Sequence, residues 1–343
     1  SGSFISSATG SVTAAAYGNS TFCAVGYGGG DTGSTEMAKS TDDGVTWVTV
    51  YQPASYGWYG LAFGNSTWVA VGYQGDVMYG DMTVANGMTK ITNGAGTKDL
   101  LDVCYGGSKF VAVGKRVAYY STNGQSWTAA TLPSLNQVDF QSCAYSSSLQ
   151  RFVAVGSNLV DIGGGVYVTT GFIIYSSDGV TWTEATGASN GKWTTVTYGT
   201  DGFVATAQMT GSPTGTAGSA YSSDGITWTQ TNNLPVKSYS GSIYGLNNYF
   251  ACAINPGADG TPKVIKSANG QPASTVLSLT DDTNLANFRV GDAVTETSGD
   301  GTGTVTAIGA TSLTLSPTTG TWSNAATVTG PVIAAASGTL SSL

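Results

Sequence analysis

Histidine is absent from this 343-residue sequence, and its absence excludes several kinds of catalytic site. Without an imidazole there is no Ser–His or Cys–His nucleophile, and no general base of the usual kind near neutral pH. Imidazole is also the commonest ligand of transition metals, so most sites for such ions are excluded as well. We therefore expect no cofactor and no metal-ligating residues.

Charged side chains are scarce, at 9% of the residues against about 25% in an average soluble protein. The 12 lysines and arginines form no cluster and the formal net charge is −8, which argues against a nucleic-acid partner. No apolar run reaches the roughly 18 residues that a membrane-spanning helix needs. We expect neither nucleic-acid binding nor membrane insertion.

Cysteine is rare, and its four copies are far apart in the sequence. Disulfide scaffolds are short and dense in cysteine, and a zinc site needs ligands that lie close together. Each cysteine stands in an apolar strand pattern, which predicts buried free thiols that pack as small apolar residues. The four are Cys23, Cys104, Cys143 and Cys252.

A short polar turn followed by tryptophan recurs along the chain, and we call it the Trp cassette. Its clearest copy, at 175–183, reads Tyr-Ser-Ser-Asp-Gly-Val-Thr-Trp-Thr. Ser and Asp side chains bond the nearby backbone, Gly accepts a positive φ, and Thr and Trp begin an extended strand. Each copy therefore predicts a β-hairpin. Further copies lie at 40–47, 120–128 and 221–229.

A second repeat joins an aromatic residue to Val-Ala-Val-Gly or a close variant. Its six copies are separated by 46, 42, 42, 51 and 47 residues, and glycine is abundant between them, with 49 in all. Units of this length with two hairpins each match the blades of a β-propeller. The sequence therefore predicts an all-β fold with a six-bladed β-propeller of four-stranded antiparallel blades. The copies are anchored on Phe22, Trp68, Phe110, Phe152, Phe203 and Phe250.

The sequence pattern changes after about residue 273, because neither repeat occurs beyond that point, and this change predicts the domain organisation. Residues 1–273 are predicted to form the propeller, and residues 4–7 could supply the outer strand that the last blade lacks. Residues 274–333 contain five short strand patterns without either repeat, which predicts a small β-barrel-like, SH3-like domain. The small residues of 334–343 predict a tail or linker.

The Trp cassette resembles the Asp box of sialidase-type (BNR) propellers, and its pairing with Phe-Val-Ala-Val-Gly resembles propellers of bacteriophage virion proteins. The resemblance implies that the cassettes stabilise the outer edges of the blades and take no part in ligand binding. It also implies a virion location, with other virion proteins as partners. A homo-oligomer is compatible with this resemblance. The structural repeat residues are Asp42, Trp47, Asn123, Trp127, Asp178, Trp182, Asp224 and Trp228.

An enzymatic function is not expected from the residues present. A sialidase would need an arginine cluster, but the chain has only Arg116, Arg151 and Arg289. Another glycoside hydrolase would need two carboxylates about 5 to 9.5 Å apart. Asp76 and Asp161 lie in loops that can face a central ligand, but nothing in the sequence brings two carboxylates together. We therefore name no catalytic residue.

Large side chains recur where the first strand of each blade begins, and they are candidates for ligand binding. If they ring the mouth of the central channel, their faces can stack on sugar rings; the alternative is that they pack between blades. The recurring residues are Trp58, Leu100, Phe140, Trp193 and Tyr239. The candidate ligand-binding set is Trp58, Tyr73, Asp76, Trp193 and Tyr239.

The leading expectation is a non-enzymatic phage virion protein, a tail or capsid-fibre component exposed on the particle. Its propeller would bind a host cell-surface glycan or a neighbouring virion protein. A secreted or cell-surface bacterial lectin is the first alternative, and a polysaccharide-degrading glycoside hydrolase is the second. The low charge and the many Thr, Ser, Gly and Tyr residues suit an external, protease-resistant scaffold.

Overall fold

A computed structural model gives the architecture of the chain, which divides into two compact units, Ser1–Ile265 and Lys266–Leu343. The described residues are 11–27, 37–51, 57–84, 86–92, 94–135, 137–161, 167–187, 191–208, 218–231, 238–245, 248–255, 263–267, 275–279, 293–296, 302–308, 312–319, 327–329 and 337–342.

The first unit is built from consecutive antiparallel sheets, which we call blades 1 to 6. Blade 1 contains β1 (Ser11–Gly18), β2 (Thr21–Tyr27), β3 (Met37–Ser40) and β4 (Val48–Tyr51). Blade 2 contains β5 (Trp58–Gly64), β6 (Thr67–Gly72), β7 (Val77–Gly80) and β8 (Met88–Ile91), with a 3-10 turn at Tyr73–Gly75. Blade 3 contains β9 (Leu100–Gly106), β10 (Lys109–Gly114), β11 (Val117–Ser121) and β12 (Thr128–Ala129).

The remaining blades continue this pattern. Blade 4 contains β13 (Asp139–Ser146), β14 (Arg151–Asp161), β15 (Tyr167–Ser176) and β16 (Thr183–Glu184). Blade 5 contains β17 (Lys192–Gly199), β18 (Gly202–Gln208), β19 (Ser219–Ser222) and β20 (Thr229–Thr231). Blade 6 contains β21 (Ser238–Gly245), β22 (Asn248–Asn255) and β23 (Lys263–Ser267).

The strands of each blade pair in sequence order, and the first strands of successive blades contact one another from β1 to β21. We call these first strands, β1, β5, β9, β13, β17 and β21, the inner strands. Among the described residues, five sheets have four strands and the sixth has three. The predicted all-β propeller is confirmed. The strand proposed for residues 4–7 lies outside the described residues.

Every inner strand carries a β-bulge near its start, because the pairing register with the second strand of its blade shifts there. A bulge places one extra residue in the strand and bends it. The six shifts lie between Val12 and Ala14, Trp58 and Gly60, Leu100 and Asp102, Phe140 and Ser142, Trp193 and Thr195, and Tyr239 and Gly241.

In blades 2, 3, 4 and 6 the next-to-last residue of the inner strand is an aromatic residue that packs on a glycine of the preceding blade. We call this contact the aromatic–glycine step. A Cβ atom added at Gly106 would lie 2.0 Å from the ring of Tyr145, so only glycine admits the ring. The same relationship joins Gly18 to Phe63, Gly64 to Tyr105, and Gly199 to Tyr244. Successive blades are therefore held at one repeated distance.

The second strand of each blade supplies much of the core. Val111, Ala112 and Val113 of β10 are fully buried, as are Val153 and Ala154 of β14. These strands have a neighbouring strand on both sides and a neighbouring blade on both faces, so an uninterrupted apolar run is tolerated there. That is the physical reason for the Val-Ala-Val repeat.

The second unit forms a closed barrel rather than an open set of strands. Its strands are β24 (Thr275–Leu279), β25 (Ala293–Glu296), β26 (Thr302–Ile308), β27 (Ser312–Thr319), β28 (Thr327–Thr329) and β29 (Ser337–Ser342). They pair in the order β24-β27-β26-β25-β28-β29, and β24 also pairs with β29. The interpretation of 334–343 as a tail is thereby corrected, because β29 supplies the hydrogen bonds that close the barrel.

The cysteines are free thiols, as the sequence predicts, but their burial differs. Cys23 and Cys143 are buried, Cys104 is partly buried and Cys252 is exposed. Burial raises the pKa of the Cys23 thiol to about 12, so it packs as an inert apolar group.

Within the described ranges, no helix is long and apolar enough to cross a membrane.

Candidate binding face

One end of each blade carries the start of the inner strand and the connection between the second and third strands. We call this end the loop face. In blades 2 to 4 it holds three ion pairs, although charge is scarce in the chain. The pairs are Asp76 with Lys90, Asp99 with Lys115, and Asp139 with Arg116.

Asp76 is placed by the short turn after the second strand of blade 2. The Asp76 N–H donates to the Tyr73 carbonyl at 3.0 Å, and Gln74 takes a left-handed φ of 49° to make this turn. The Asp76 carboxylate is buried and lies 2.9 Å from the Lys90 ammonium. Because a buried carboxylate needs a partner, this ion pair is a structural requirement of the turn.

Asp99 connects blade 2 to blade 3. Its carboxylate accepts a 2.9 Å hydrogen bond from the Gln74 N–H and lies 2.6 Å from the Lys115 ammonium. Burial alone would raise the pKa of Asp99, but the Gln74 N–H and Lys115 together lower it. The hydrogen bond to Asp99 in turn raises the pKa of Lys115. Both groups are therefore held in their charged forms.

Lys115 and Arg116 form the two-residue connection between β10 and β11. The Lys115 N–H donates to the Asp99 carbonyl at 2.9 Å, and Lys115 also forms a β-bridge with Asp139 of blade 4. Arg116 has a φ of 65°, a conformation that costs a non-glycine residue about 1 kcal/mol or more. The turn is thus fixed on two sides and holds a strained arginine.

The cations of this face lie further outward than its carboxylates. The side chains of Lys115 and Arg116 are 50% and 54% exposed, whereas Asp99 is 14% and Asp139 39% exposed. The Arg116 Nε lies 3.9 Å from Asp139, a loose pairing that leaves the guanidinium at the surface. This arrangement can attract an acidic partner. In the part of the chain that the structure describes, no group of three His, Cys, Asp or Glu residues could hold a metal ion.

The aromatic residues predicted to bind a ligand do not reach this surface. Trp58 and Trp193 are 0% exposed and Tyr239 is 1% exposed. Their interpretation as a ring at the channel mouth is wrong, because all three side chains are buried in the packed interior. Tyr73 is partly buried in its turn, and Asp76 is held by Lys90. The side chain of Asp161 lies outside the described residues.

The Trp cassettes of blades 3, 4 and 5 adopt one geometry. In blade 4, the Asp178 Oδ1 accepts hydrogen bonds from the N–H groups of Val180 and Thr181 at 2.8 and 2.9 Å. The Ser176 hydroxyl donates to Asp178 and accepts from the Gly179 N–H, whose residue has a φ of 71°. Asn123 and Asp224 make equivalent bonds in blades 3 and 5. Asp42 in blade 1, whose cassette has one extra residue, accepts instead from the N–H and the hydroxyl of Thr46.

The cassettes also connect neighbouring blades, which the sequence did not indicate. The Trp182 N–H donates to the Thr131 carbonyl of blade 3 at 2.9 Å, and the Thr131 N–H donates to the Val180 carbonyl at 2.7 Å. The same parallel bridge joins Thr186 of blade 4 to the cassette of blade 5, with Trp228 N–H as donor at 2.8 Å. Each of these cassettes therefore stabilises a blade and its junction with the preceding blade.

Asp102, on the inner strand of blade 3, links two blades in a way that the sequence did not indicate. Its carboxylate accepts a 2.9 Å hydrogen bond from the Cys143 N–H of blade 4 and a 2.8 Å bond from its neighbour Val103. Burial nevertheless raises the pKa of Asp102 to about 6, against the opposing effect of the bonds from Cys143, Ser142 and Val103. Its only sequence signal is a charge inside an otherwise apolar strand.

Comparison with known proteins shows the fold of the chain but no family. No protein-family model matches the chain, and no curated protein matches it. Solved structures share its fold. A chain of the mitotic checkpoint complex aligns with a TM-score of 0.53 and 11% identity, over 75% of this chain and 74% of that chain. YCF48 bound to D1 peptide aligns with a TM-score of 0.51 and 13% identity, over 77% and 80% of the two chains.

A third similar structure is the WD40 domain of Pan2 from Neurospora crassa. Its TM-score is 0.49 at 8% identity, over 70% of this chain and 71% of that chain. At such low identities the similarity to these structures concerns the β-propeller fold alone.

Proposed function

We propose that this chain is a non-enzymatic structural or adhesion protein exposed on a virion, as a tail or capsid-fibre component. In this proposal the loop face of blades 2 to 4 binds an acidic surface of a neighbouring virion protein. The virion context comes from the resemblance of the cassettes and of the Phe-Val-Ala-Val-Gly repeats to phage propellers. The binding role comes from the loop face.

The observation that carries the binding role is the Lys115–Arg116 turn. Two outward cations stand on a turn whose backbone is fixed by Asp99 and Asp139, in a chain with few charges. A fixed turn loses little entropy when a partner binds, so its charges contribute more of their interaction energy to affinity.

A protein partner is favoured over a glycan. Sugar binding usually relies on exposed aromatic faces, and the three large residues considered for that purpose are buried. Among the similar structures, one chain belongs to a protein complex and another is bound to a peptide, so propellers of this general shape do bind proteins. The glycan-binding alternative predicts no role for the Lys115–Arg116 turn.

The test uses the purified chain and particles of the phage that carries it. We expect the chain to be detected in purified particles by mass spectrometry and on their exterior by immunogold labelling. Particles assembled without the chain should bind the added wild-type protein in a sedimentation assay. Binding should weaken as salt is raised from 50 to 300 mM, because dissolved ions screen the attraction between exposed charges. Near physiological salt this screening length is about 8–10 Å.

The variant K115Q/R116N removes both cations and keeps a residue that tolerates the left-handed turn. It should reduce binding at least tenfold. The matched control is Lys109→Gln, which removes a cation from the other end of the same strand, β10, and should bind as the wild type does. Absence of the chain from purified particles would contradict the virion assignment. Equal binding by the double variant would contradict the role of the loop face, and glycan-array binding by both proteins would favour the lectin alternative.

A further inference from the structure

Two of the four cysteines meet at the junction between blades 3 and 4. Cys104 lies in β9 and Cys143 in β13, the inner strands of these blades, which contact one another. The Cys143 thiol donates a 3.6 Å hydrogen bond to the Val111 carbonyl, and Val111 is the residue of β10 that pairs with Cys104. The sulfur of Cys143 therefore lies against the pair formed by Cys104 and Val111, within one apolar cluster.

The side chain of Cys104 points toward blade 4. Two residues earlier in the same strand, the Asp102 carboxylate reaches across the junction and accepts a 2.9 Å hydrogen bond from the Cys143 N–H. Side chains two residues apart in a strand lie on one face, so that of Cys104 points to the same neighbour. It forms a hydrogen bond with the Cys143 thiol, and burial together with this bond raises the pKa of Cys143. The two thiol groups are thus in contact.

The corresponding positions at the junction between blades 5 and 6 show how closely two such side chains approach. Thr197 and Ser242 stand there, one and two residues before the recurrent tyrosine of their inner strands, as Cys104 and Cys143 do. Their hydroxyl oxygens lie 2.9 Å apart. Cysteine occupies both positions only between blades 3 and 4. At two other junctions these positions hold apolar residues that share a cluster, Ala62 with Val103 and Ala144 with Val196.

We propose that Cys104 and Cys143 are a site of disulfide formation, at which a small disulfide such as oxidised glutathione cross-links blades 3 and 4. Cys104 is only partly buried, so its thiolate attacks the glutathione disulfide and releases one glutathione. Cys143 then loses its proton and attacks the Cys104 sulfur, and the second glutathione leaves. The two protons pass to the departing glutathiones. Two cysteines are oxidised, and one glutathione disulfide is reduced.

The bond stabilises the propeller by restricting the unfolded chain. It closes a loop of about 40 residues between positions 104 and 143, and a cross-link of that span removes much of the conformational entropy that unfolding would release. The folded junction needs little rearrangement, because the two side chains already touch. The proposal does not depend on the virion location, since it requires only oxidising surroundings, in which disulfides persist.

The first test looks for the bond in the folded protein. Cys252 is exposed, so every protein tested carries Cys252→Ser to prevent cross-links between molecules. The reduced protein is incubated with oxidised glutathione without denaturant, and the remaining thiols are then blocked with iodoacetamide in denaturant. Trypsin places Cys104 in peptide 99–109 and Cys143 in peptide 117–151. We expect mass spectrometry to find these two peptides joined in protein that stays monomeric.

The matched control places two thiols at the corresponding positions between blades 5 and 6, as T197C/S242C combined with Cys104→Ala. It should form its own cross-link under the same conditions, which shows that the oxidant reaches a junction of this kind. Peptides 99–109 and 117–151 that stay separate and blocked would overturn the proposal. A link between Cys104 and Cys143 found only in covalent dimers would overturn it as well.

The second test measures the effect of the bond on stability. Oxidation should raise the melting temperature by several degrees, and dithiothreitol should return it to the starting value. Cys104→Ala and Cys143→Val each remove one thiol and supply the side chain that Ala62 or Val103 has at the same position. Neither variant should respond to oxidised glutathione. An equal rise in either variant, or no rise in protein shown to carry the bond, would contradict a stabilising cross-link at this junction.

Discussion

The carboxylate of Asp102 in blade 3 accepts a 2.9 Å hydrogen bond from the backbone N–H of Cys143 in blade 4. The inner strand of blade 4 bulges just before Cys143, so the side chain of the preceding blade supplies an acceptor at a point where the strand pairing is irregular. Blade 5 shows a weaker form of the same relationship, because the Val196 N–H donates to the Ser142 hydroxyl at 3.3 Å.

The variant Asp102→Asn should change how stability depends on pH. The folded pKa of about 6 exceeds the ordinary value of 3.8, so between these values the folded state retains a proton that the unfolded state releases. The free energy of unfolding should therefore fall as pH rises through this window, by up to about 3 kcal/mol, and Asp102→Asn should remove that fall. Urea denaturation of both proteins from pH 4 to 7 measures the difference. Parallel profiles would show that Asp102 does not titrate in this range.

Asp178 can be replaced by asparagine at low cost, because blade 3 already uses Asn123 in the same way. The Asn123 Oδ1 accepts bonds from the Gln125 and Ser126 N–H groups, both at 2.9 Å. Asp178→Asn should lower the free energy of unfolding by less than about 1 kcal/mol, whereas Asp178→Ala leaves two N–H groups without an acceptor and should cost about 1–2 kcal/mol. Chemical denaturation separates the two, and equal losses would contradict the acceptor role.

The tryptophans of the cassettes should differ in their contribution to stability. Trp182 is 3% exposed and packs on Phe152 with 6.4 Å between ring centroids, so Trp182→Ala should cost about 3–5 kcal/mol. Trp127 is only partly buried, and Trp127→Ala should cost about half as much. Guanidinium denaturation of the two variants gives the comparison. A near-neutral Trp182→Ala would contradict its place in the core.

Thr194 links two inner strands through its hydroxyl group. Its Oγ1 donates to the Tyr239 carbonyl of blade 6 at 2.6 Å, and Thr13 makes the equivalent bond to the Trp58 carbonyl of blade 2 at the same distance. Thr194→Val keeps the shape and removes the donor, and it should cost about 1 kcal/mol. Thr229→Val, at an exposed position of the outer strand β20, is the control and should be close to neutral in the same thermal denaturation assay.

The hairpins and the number of repeats were predictable because they depend on local chemistry. The Ser, Asp and Gly of the cassette around Asp178 fix a turn through bonds that span only a few residues. The Val-Ala-Val runs likewise report burial on both faces of a strand. These signals do not depend on the arrangement of distant parts of the chain.

The positions of single side chains between blades were not predictable in the same way. Trp58 and Trp193 stand at the starts of strands, where the sequence allows a surface position, but both are fully buried between the packed strands. The Asp102 side chain accepts its hydrogen bond from a strand that lies about 40 residues away in sequence. The Lys115–Arg116 turn is likewise held by residues of two other connections. Only the assembled fold brings these groups together.

The aromatic–glycine step has a consequence for how the number of blades can change over time. At the steps formed by Gly18, Gly64 and Gly106 the glycine belongs to the earlier blade and the aromatic ring to the later one, so a segment cut at equivalent points around blade 2 or blade 3 contains one of each. Gene duplication or loss of such a segment would leave every remaining junction with its proper partner. A propeller built on this rule can gain or lose a whole blade by recombination without a compensating mutation at any junction.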